Sequence, residues 1–300
     1  MVDRISTFSQ TQQLTNNNLR IQSNYAKTQT QVSSGLKSDT YQGLGGDVSR
    51  ILNLESDYKT ISARSENAQS ALDQTNVMFD KMGGIIEIGQ SFLSDLSAAI
   101  SSTGSDPNAI QELATQSLDQ IVQILNTQIA GRYIFSGSAT ATTPVDLSTY
   151  TGGTTSPSIS DSSYYQGNDY TQSVEISDGY SLAYGVTADN AAFEKIIRSL
   201  SLVKNDPSNT TALNEAYDLL NEGLDDLANL KARTSQDAQT LDQSINDNLS
   251  DLNLIDSMIS DLKEVDVAEV SVKLQELETQ LSASYSVTTK LLNLKLSDYL

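Results

Sequence analysis

Between Ile51 and Ile100 the apolar residues recur at alternating intervals of three and four, and no proline interrupts them. The positions visited are Ile51, Leu54, Tyr58, Ile61, Ser65, Ala68, Leu72, Thr75, Phe79, Met82, Ile86, Gly89, Leu93, Leu96 and Ile100, and twelve of the fifteen are apolar. A seam with a 3.5-residue period predicts a long helix lying along another helix. Fifty helical residues span about 75 Å at 1.5 Å per residue, so the partner must be of similar length. It lies near the other end of the chain. The same stepping visits Leu213, Tyr217, Leu220, Leu224, Leu227, Lys231, Thr234, Ala238, Leu241, Ile245, Asn248, Leu252, Ile255, Ile259 and Leu262, again with twelve of fifteen apolar. An ordinary helical bundle is the alternative, but its helices are usually much shorter.

Composition agrees with thin rods. Only 38% of the 300 residues are hydrophobic and 6% aromatic, with no Trp, which suits narrow seams better than a large spherical core. The 38 acidic and 18 basic residues give a net charge of −20, which repels phosphate backbones and anionic membranes. Neither nucleic acid nor membrane is therefore expected as a partner. The acid excess is central; residues 1–46 hold Arg4, Arg20, Lys27 and Lys37 against Asp3 and Asp39. Near-neutral ends can pack against copies of themselves. With no His and no Cys, the commonest general base and the thiolate and imidazole metal ligands are missing. No enzyme activity, cofactor or metal is expected. Acidic pairs such as Asp225-Asp226 do not converge on one substrate when adjacent on a helix. The N-terminus has no apolar run of signal-peptide type.

The chain reads as five segments. Residues 1–46 carry a first helix, over 3–33, with the thin stripe Ile5, Phe8, Leu14, Ile21, Tyr25 and Val32, and then a glycine-rich turn. That helix is marginal alone and is expected to order on assembly. Residues 47–131 hold the first rod and a returning helix over 107–130, capped by Asp106 and Pro107 and ended by Gly131. Residues 132–188 are rich in Gly, Ser, Thr and Tyr. They contain an expected strand at Tyr133-Ile134-Phe135-Ser136-Gly137 and a hairpin turning at Asp178-Gly179. This insert is expected to be a small independent β fold. Residues 189–266 give a helix at 189–204 and the second rod. Residues 267–300 hold a last helix, over about 267–298, carrying Val267, Val270, Leu274, Leu277, Leu281, Leu291 and Leu294. The fold class is mainly α: long antiparallel rods from both chain ends, packed like a coiled coil, with a small β-rich outer insert.

Several motifs resemble those of the bacterial flagellin family, which includes filament flagellins and the hook–filament junction protein. Gln31-Val32-Ser33-Ser34-Gly35-Leu36-Lys37 is similar to the family's turn after its first helix. Gly131-Arg132-Tyr133-Ile134-Phe135-Ser136-Gly137 resembles its lead-in to the outer domain. Val265-Asp266-Val267-Ala268-Glu269, Leu274-Gln275-Glu276-Leu277-Glu278 and the ending Leu294-Lys295-Leu296-Ser297-Asp298-Tyr299-Leu300 are similar to its C-terminal helix. Two features depart from filament flagellins. Ser38-Asp39-Thr40-Tyr41-Gln42-Gly43-Leu44-Gly45 lacks their acidic pair and Ala-Ala-Gly step, and Tyr164-Tyr165-Gln166-Gly167-Asn168 is closer to the junction protein.

The resemblance implies a structural subunit of the flagellum. It would be exported without a cleaved signal, with a chaperone's help, and assembled outside the cell. Its terminal stripes would mediate polymerisation with copies of itself, and with hook-associated and cap proteins of the axis. Ends this polar order best inside a polymer, and the filament is the abundant one, so a filament subunit is the first expectation. A hook–filament junction protein is the alternative. A sugar-binding adhesin using Tyr164, Tyr165, Tyr170, Tyr180 and Tyr184 is a remote one.

Overall fold

The computed structural model describes the backbone of residues 2–102 and 106–297 and the side-chain surroundings of residues 9–102 and 106–290. Its helices are α1 (Val2–Ser34), α2 (Val48–Ser101), α3 (Pro107–Leu125), α4 (Ala191–Asn205), α5 (Thr210–Lys263) and α6 (Val267–Ser297). Two antiparallel pairs supply the β structure, β1 (Gln128–Ile129) with β2 (Arg132–Tyr133) and β3 (Gln172–Ser177) with β4 (Tyr180–Tyr184). The mainly α class with a small β region is therefore the observed one. The starts and stops follow local chemistry. Asp106 accepts the amide of Asn108 at 2.9 Å, with Pro107 in the first turn of α3. Asn209 accepts the amides of Thr211 and Ala212 to open α5. Asp266 accepts those of Ala268 and Glu269 to open α6.

α3 is shorter than its apolar pattern suggests. It ends at Leu125 rather than near 130, because β1 and β2 reverse the chain through Ala130 and Gly131, at φ 49° and 78°. Two successive positive φ values define the tight hairpin turn whose twist matches its strands. The expected strand at 133–137 stops at Tyr133; Ile134, Phe135 and Ser136 are buried.

The chain folds as two compact units, one of residues 61–250 and one of residues 1–60 with 251–300. In the first, a single core joins α2 (Met78, Met82, Ile85, Phe92, Leu96), α3 (Ile110, Leu118, Ile121), α4 (Phe193, Ile196, Ile197, Leu200) and α5 (Leu220, Leu224, Leu227). Phe92 and Ile85 are buried, whereas their neighbours Leu93 and Ile86 are half-buried. Here the seam of α2 widens into a stripe, as a helix needs when it faces more than one neighbour. Glycine allows the close approaches. A Cβ on Gly89 would lie 2.6 Å from Leu224 Cδ2, and one on Gly223 would lie 2.8 Å from Ile196 Cγ1 and 3.2 Å from the Ile196 amide nitrogen. Polar seam positions are satisfied within their own helices: Thr75 donates to Ala71 O at 2.7 Å and Thr234 to Leu230 O at 3.0 Å.

The insert is not an independent fold. Val145, Tyr164 and Ala188 lie in the same core as the helices, and the Tyr164 hydroxyl donates to Ala188 O at 2.9 Å. The β3–β4 hairpin turns at Asp178-Gly179 as expected and packs Ile176 against Ala68, Leu72, Leu241 and Ile245. Ser244 donates to Ile176 O at 2.6 Å and Arg64 pairs with Glu175 at 2.8 Å. Residues 156–163 are pinned by carboxylates from two helices. Glu215 accepts from Ser156 Oγ and from both the amide and the hydroxyl of Ser158. Glu194, ion-paired to Arg198 at 3.0 Å, accepts the Asp161 amide. About fifty residues with few strands cannot bury enough apolar surface alone, so this segment completes its core on the helices.

Candidate self-assembly surface

In the unit of residues 1–60 and 251–300, α1 packs along α6. Of the expected assembly residues, Leu277 is buried, and Leu14, Ile21, Tyr25, Val32, Leu274 and Leu281 are half-buried. The side chains of Ile5, Phe8, Leu291 and Leu294 lie outside the described residues. Between the apolar positions sit polar ones that the apolar pattern passed over. Asn18 donates to Thr288 Oγ1 at 3.3 Å and accepts from Ser284, Gln22 donates to the Tyr285 hydroxyl, and Thr28 is 4% exposed. A signal for them existed: 14, 18, 21, 25, 28 and 32 on α1, and 270, 274, 277, 281, 284 and 288 on α6, continue one three-and-four spacing. A mixed stripe gives direction and register but a thin apolar contact.

The pair leaves apolar surface uncovered. Leu19 is 58% exposed and Val272 68%, and Val267, Tyr285 and Val287 are also exposed. In the same unit Ile51 and Ile255 are buried, and Leu54, Leu252 and Ile259 half-buried, while Tyr58, Leu52 and Leu254 are exposed. Of the remaining seam residues, Leu72, Leu220, Leu224, Leu227, Leu241 and Ile245 are buried in the other unit, and Ile61, Phe79, Ile86 and Leu93 are half-buried there. The charge is unequal as well. Residues 61–250 carry 24 acidic and 8 basic residues, against 14 and 10 in the unit of the terminal helices. The unit of the terminal helices thus carries the weaker net charge.

Both terminal helices leave from one polar node. Lys37 N donates to Lys263 O at 2.7 Å and Val265 N to Gly35 O at 2.9 Å, an antiparallel bridge centred on Leu36 and Glu264. The Lys37 ammonium donates to the carbonyls of Asp261 (2.8 Å) and Leu262 (2.9 Å) in the last turn of α5. Beside it Glu55 binds Lys263 Nζ at 2.5 Å and accepts from the Tyr41 hydroxyl at 2.8 Å. The Lys263 and Tyr41 hydrogen bonds hold the Glu55 carboxyl below its ordinary value, and the bond to Glu55 pushes the Tyr41 phenol up. The tyrosines of the insert serve local ends instead. Tyr164 is in the core, Tyr165 donates to Asn168 O at 2.7 Å, Tyr184 to Gln172 at 3.0 Å, and Tyr170 and Tyr180 are exposed. Among the described residues no helix is long and apolar enough to cross a membrane, and no group of three or more His, Cys, Asp or Glu is placed to hold a metal ion.

The fold is that of a long-helix protein whose paired terminal helices leave apolar residues exposed. Residues 5–140 match the family model of the bacterial flagellin N-terminal helical region. That match spans a little under half of the chain, so its N-terminal part is similar to the helical region of bacterial flagellins. Two solved structures share its fold. One is assigned as a flagellar hook-associated protein from Vibrio parahaemolyticus, with 14% identity and a TM-score of 0.61, covering 75% of this chain and 99% of that one. The other is Bacillus cereus FlgL, with 18% identity and a TM-score of 0.50, covering 71% of this chain and 96% of that one. Comparison with curated protein sequences returned no match.

Proposed function

We propose that this chain is a hook-associated junction protein, which joins the flagellar hook to the filament through its paired terminal helices. The supporting observation is that the Vibrio parahaemolyticus hook-associated protein shares this fold over 99% of its own length. The departures at Ser38–Gly45 and the Tyr164–Asn168 segment support the same reading. It reverses the order of the two expectations drawn from the sequence. The filament subunit becomes the second reading, favoured by the flagellin match over residues 5–140.

In this reading the uncovered faces of α1 and α6 meet copies of the chain and neighbouring axial proteins outside the cell. The chain reaches that place without a cleaved signal, escorted by an export chaperone. The test is electron microscopy of purified protein mixed with isolated hooks or with filament seeds. Capping of hook ends by a short layer, with no growth on filament seeds, is the expected result. Continuous elongation of filament seeds would select the filament subunit instead.

A further inference from the structure

Within the unit of residues 61–250, a cleft of about 400 Å³ lies between α2, the β1–β2 hairpin and the β3–β4 hairpin. That volume is at the small end of ligand sites, which run about 300–1,000 Å³. The half-buried Tyr133 and Tyr184 line it, beside Ile129 and the buried Ile134. Its polar groups are held in place without being used up. The Tyr184 hydroxyl donates to Gln172 Oε1 at 3.0 Å, which leaves the amide hydrogens of Gln172 unspent. Burial raises the Tyr184 phenol and the Arg132 charge offsets part of that, so the phenol stays a donor at neutral pH. Arg132 Nε donates to Thr140 Oγ1 at 3.3 Å, which leaves its terminal amino groups. Asp73 Oδ1 accepts from Gln69 at 2.9 Å, which leaves Oδ2. Among the described residues neither Arg132 nor Asp73 has an ion-pair partner, and the half-buried Gln74 amide has no hydrogen-bond partner.

Unspent donors and acceptors side by side suit a ligand whose own groups do both. A sugar hydroxyl donates and accepts, and a pyranose ring also presents C–H surface that packs on apolar and aromatic side chains. The two charged residues of the lining, Asp73 and Arg132, cancel. Around them the unit carries 24 acidic against 8 basic residues, a field that repels anions. We propose that this cleft binds a neutral saccharide of one or two rings. Gln74, Gln172, Asp73 and Arg132 meet its hydroxyls, and Tyr133 and Tyr184 meet its C–H surface. The site lies apart from the terminal helices in sequence and stands under either reading of the chain's axial role.

The test is saturation-transfer NMR and titration on the full-length monomer. The probes are maltose, lactose and N,N′-diacetylchitobiose, with glucuronic acid as the anionic counterpart. At least one neutral disaccharide should bind, and more tightly than glucuronic acid. Gln74→Leu, which keeps the helix former and removes the amide, should weaken that binding about fivefold, the loss expected for one hydrogen bond. Arg132→Met, at an exposed strand position, should weaken it to a similar extent with the thermal midpoint unchanged. Gln120→Leu, an amide removed from the exposed side of α3, should bind as the parent does. Silence from all three neutral sugars, preference for glucuronic acid, or parent-like binding by both Gln74→Leu and Arg132→Met would overturn the assignment.

Discussion

The Lys231 ammonium lies 4.4 Å from the centroid of the Phe79 ring, at a position where the α5 seam otherwise expects an apolar residue. Gly83 leaves the room for it; a Cβ there would come within 2.9 Å of Lys231 Nζ. The charge is thus held by a ring face and its stem packs along the seam. Replacing Lys231 by Ala should lower stability by about 1 kcal/mol, the sum expected for a partly desolvated cation–π contact and lost stem packing. Urea unfolding checks this, and in a Phe79→Leu background the loss on Lys231→Ala should shrink to the stem-packing share alone.

Two glycines on long helices should respond in opposite directions. A Cβ on Gly84 would meet only Ile124 Cδ1, at an ordinary 3.5 Å, so Gly84→Ala should stabilise by about 0.5–1 kcal/mol through helix propensity. At Gly223 the added methyl would press on the α4 backbone, and Gly223→Ala should destabilise by about 1–3 kcal/mol despite the same propensity gain. Thermal unfolding of both variants side by side is the measurement.

Ala130 holds a left-handed conformation, φ 49°, in the β1–β2 turn. An L side chain there costs about 1 kcal/mol relative to glycine. Ala130→Gly should therefore raise stability by about 0.5–1 kcal/mol, less the extra freedom of glycine in the unfolded chain. A fall in melting temperature would show that the turn is not strained.

Tyr164 separates an integral insert from a dispensable one. Its ring is fully buried, packed edge-on against Tyr150 at 5.5 Å between centroids. Tyr164→Ala should cost about 3–5 kcal/mol in the cooperative unfolding of residues 61–250. A Gly/Ser linker in place of residues 140–186 should likewise loosen α4, seen as faster amide exchange at Ala192–Leu200. An unchanged unfolding midpoint in Tyr164→Ala would restore the independent insert.

Acid should release the loop held by Glu215. Burial by itself would raise this carboxyl, but hydrogen bonds from Ser156 and Ser158 outweigh it and hold the group below its ordinary value of 4.5. A carboxyl depressed in the folded state stabilises above its unfolded pKa, and that contribution is lost as pH falls through the folded one. Protease cleavage within residues 154–160 should rise below about pH 4.5. Glu215→Gln, which still accepts but carries no charge, should be cleaved faster at pH 7 and show a flatter acid dependence. Identical acid profiles for the two proteins would refute this role.

Much of the fold is legible because it rests on local rules. The 3.5-residue seams from Ile51 and Leu213, the Asp106-Pro107 start of α3 and the Asp178-Gly179 hairpin need only neighbours within a few residues. The misread places share a cause. The α3 pattern runs on to Ile129 because an apolar residue reads alike in a helix and in a tight hairpin. The terminal stripes read as six and seven apolar residues, since Asn18, Ser284 and Thr288 look like solvent-facing residues until a partner helix supplies their hydrogen bonds.

By itself the sequence determined that this is a long-helix protein with near-neutral ends, because helical period and charge are properties of residues along one strand of chain. Its motifs also carried the flagellin resemblance. Only the tertiary structure decided that the Tyr- and Ser-rich insert is part of the helical core, and that Lys37 meets the end of α5 more than two hundred residues away. Those facts depend on which surfaces find each other, and a glycine such as Gly223 or a lysine such as Lys37 has no distinguishing local pattern until the opposing backbone is in place.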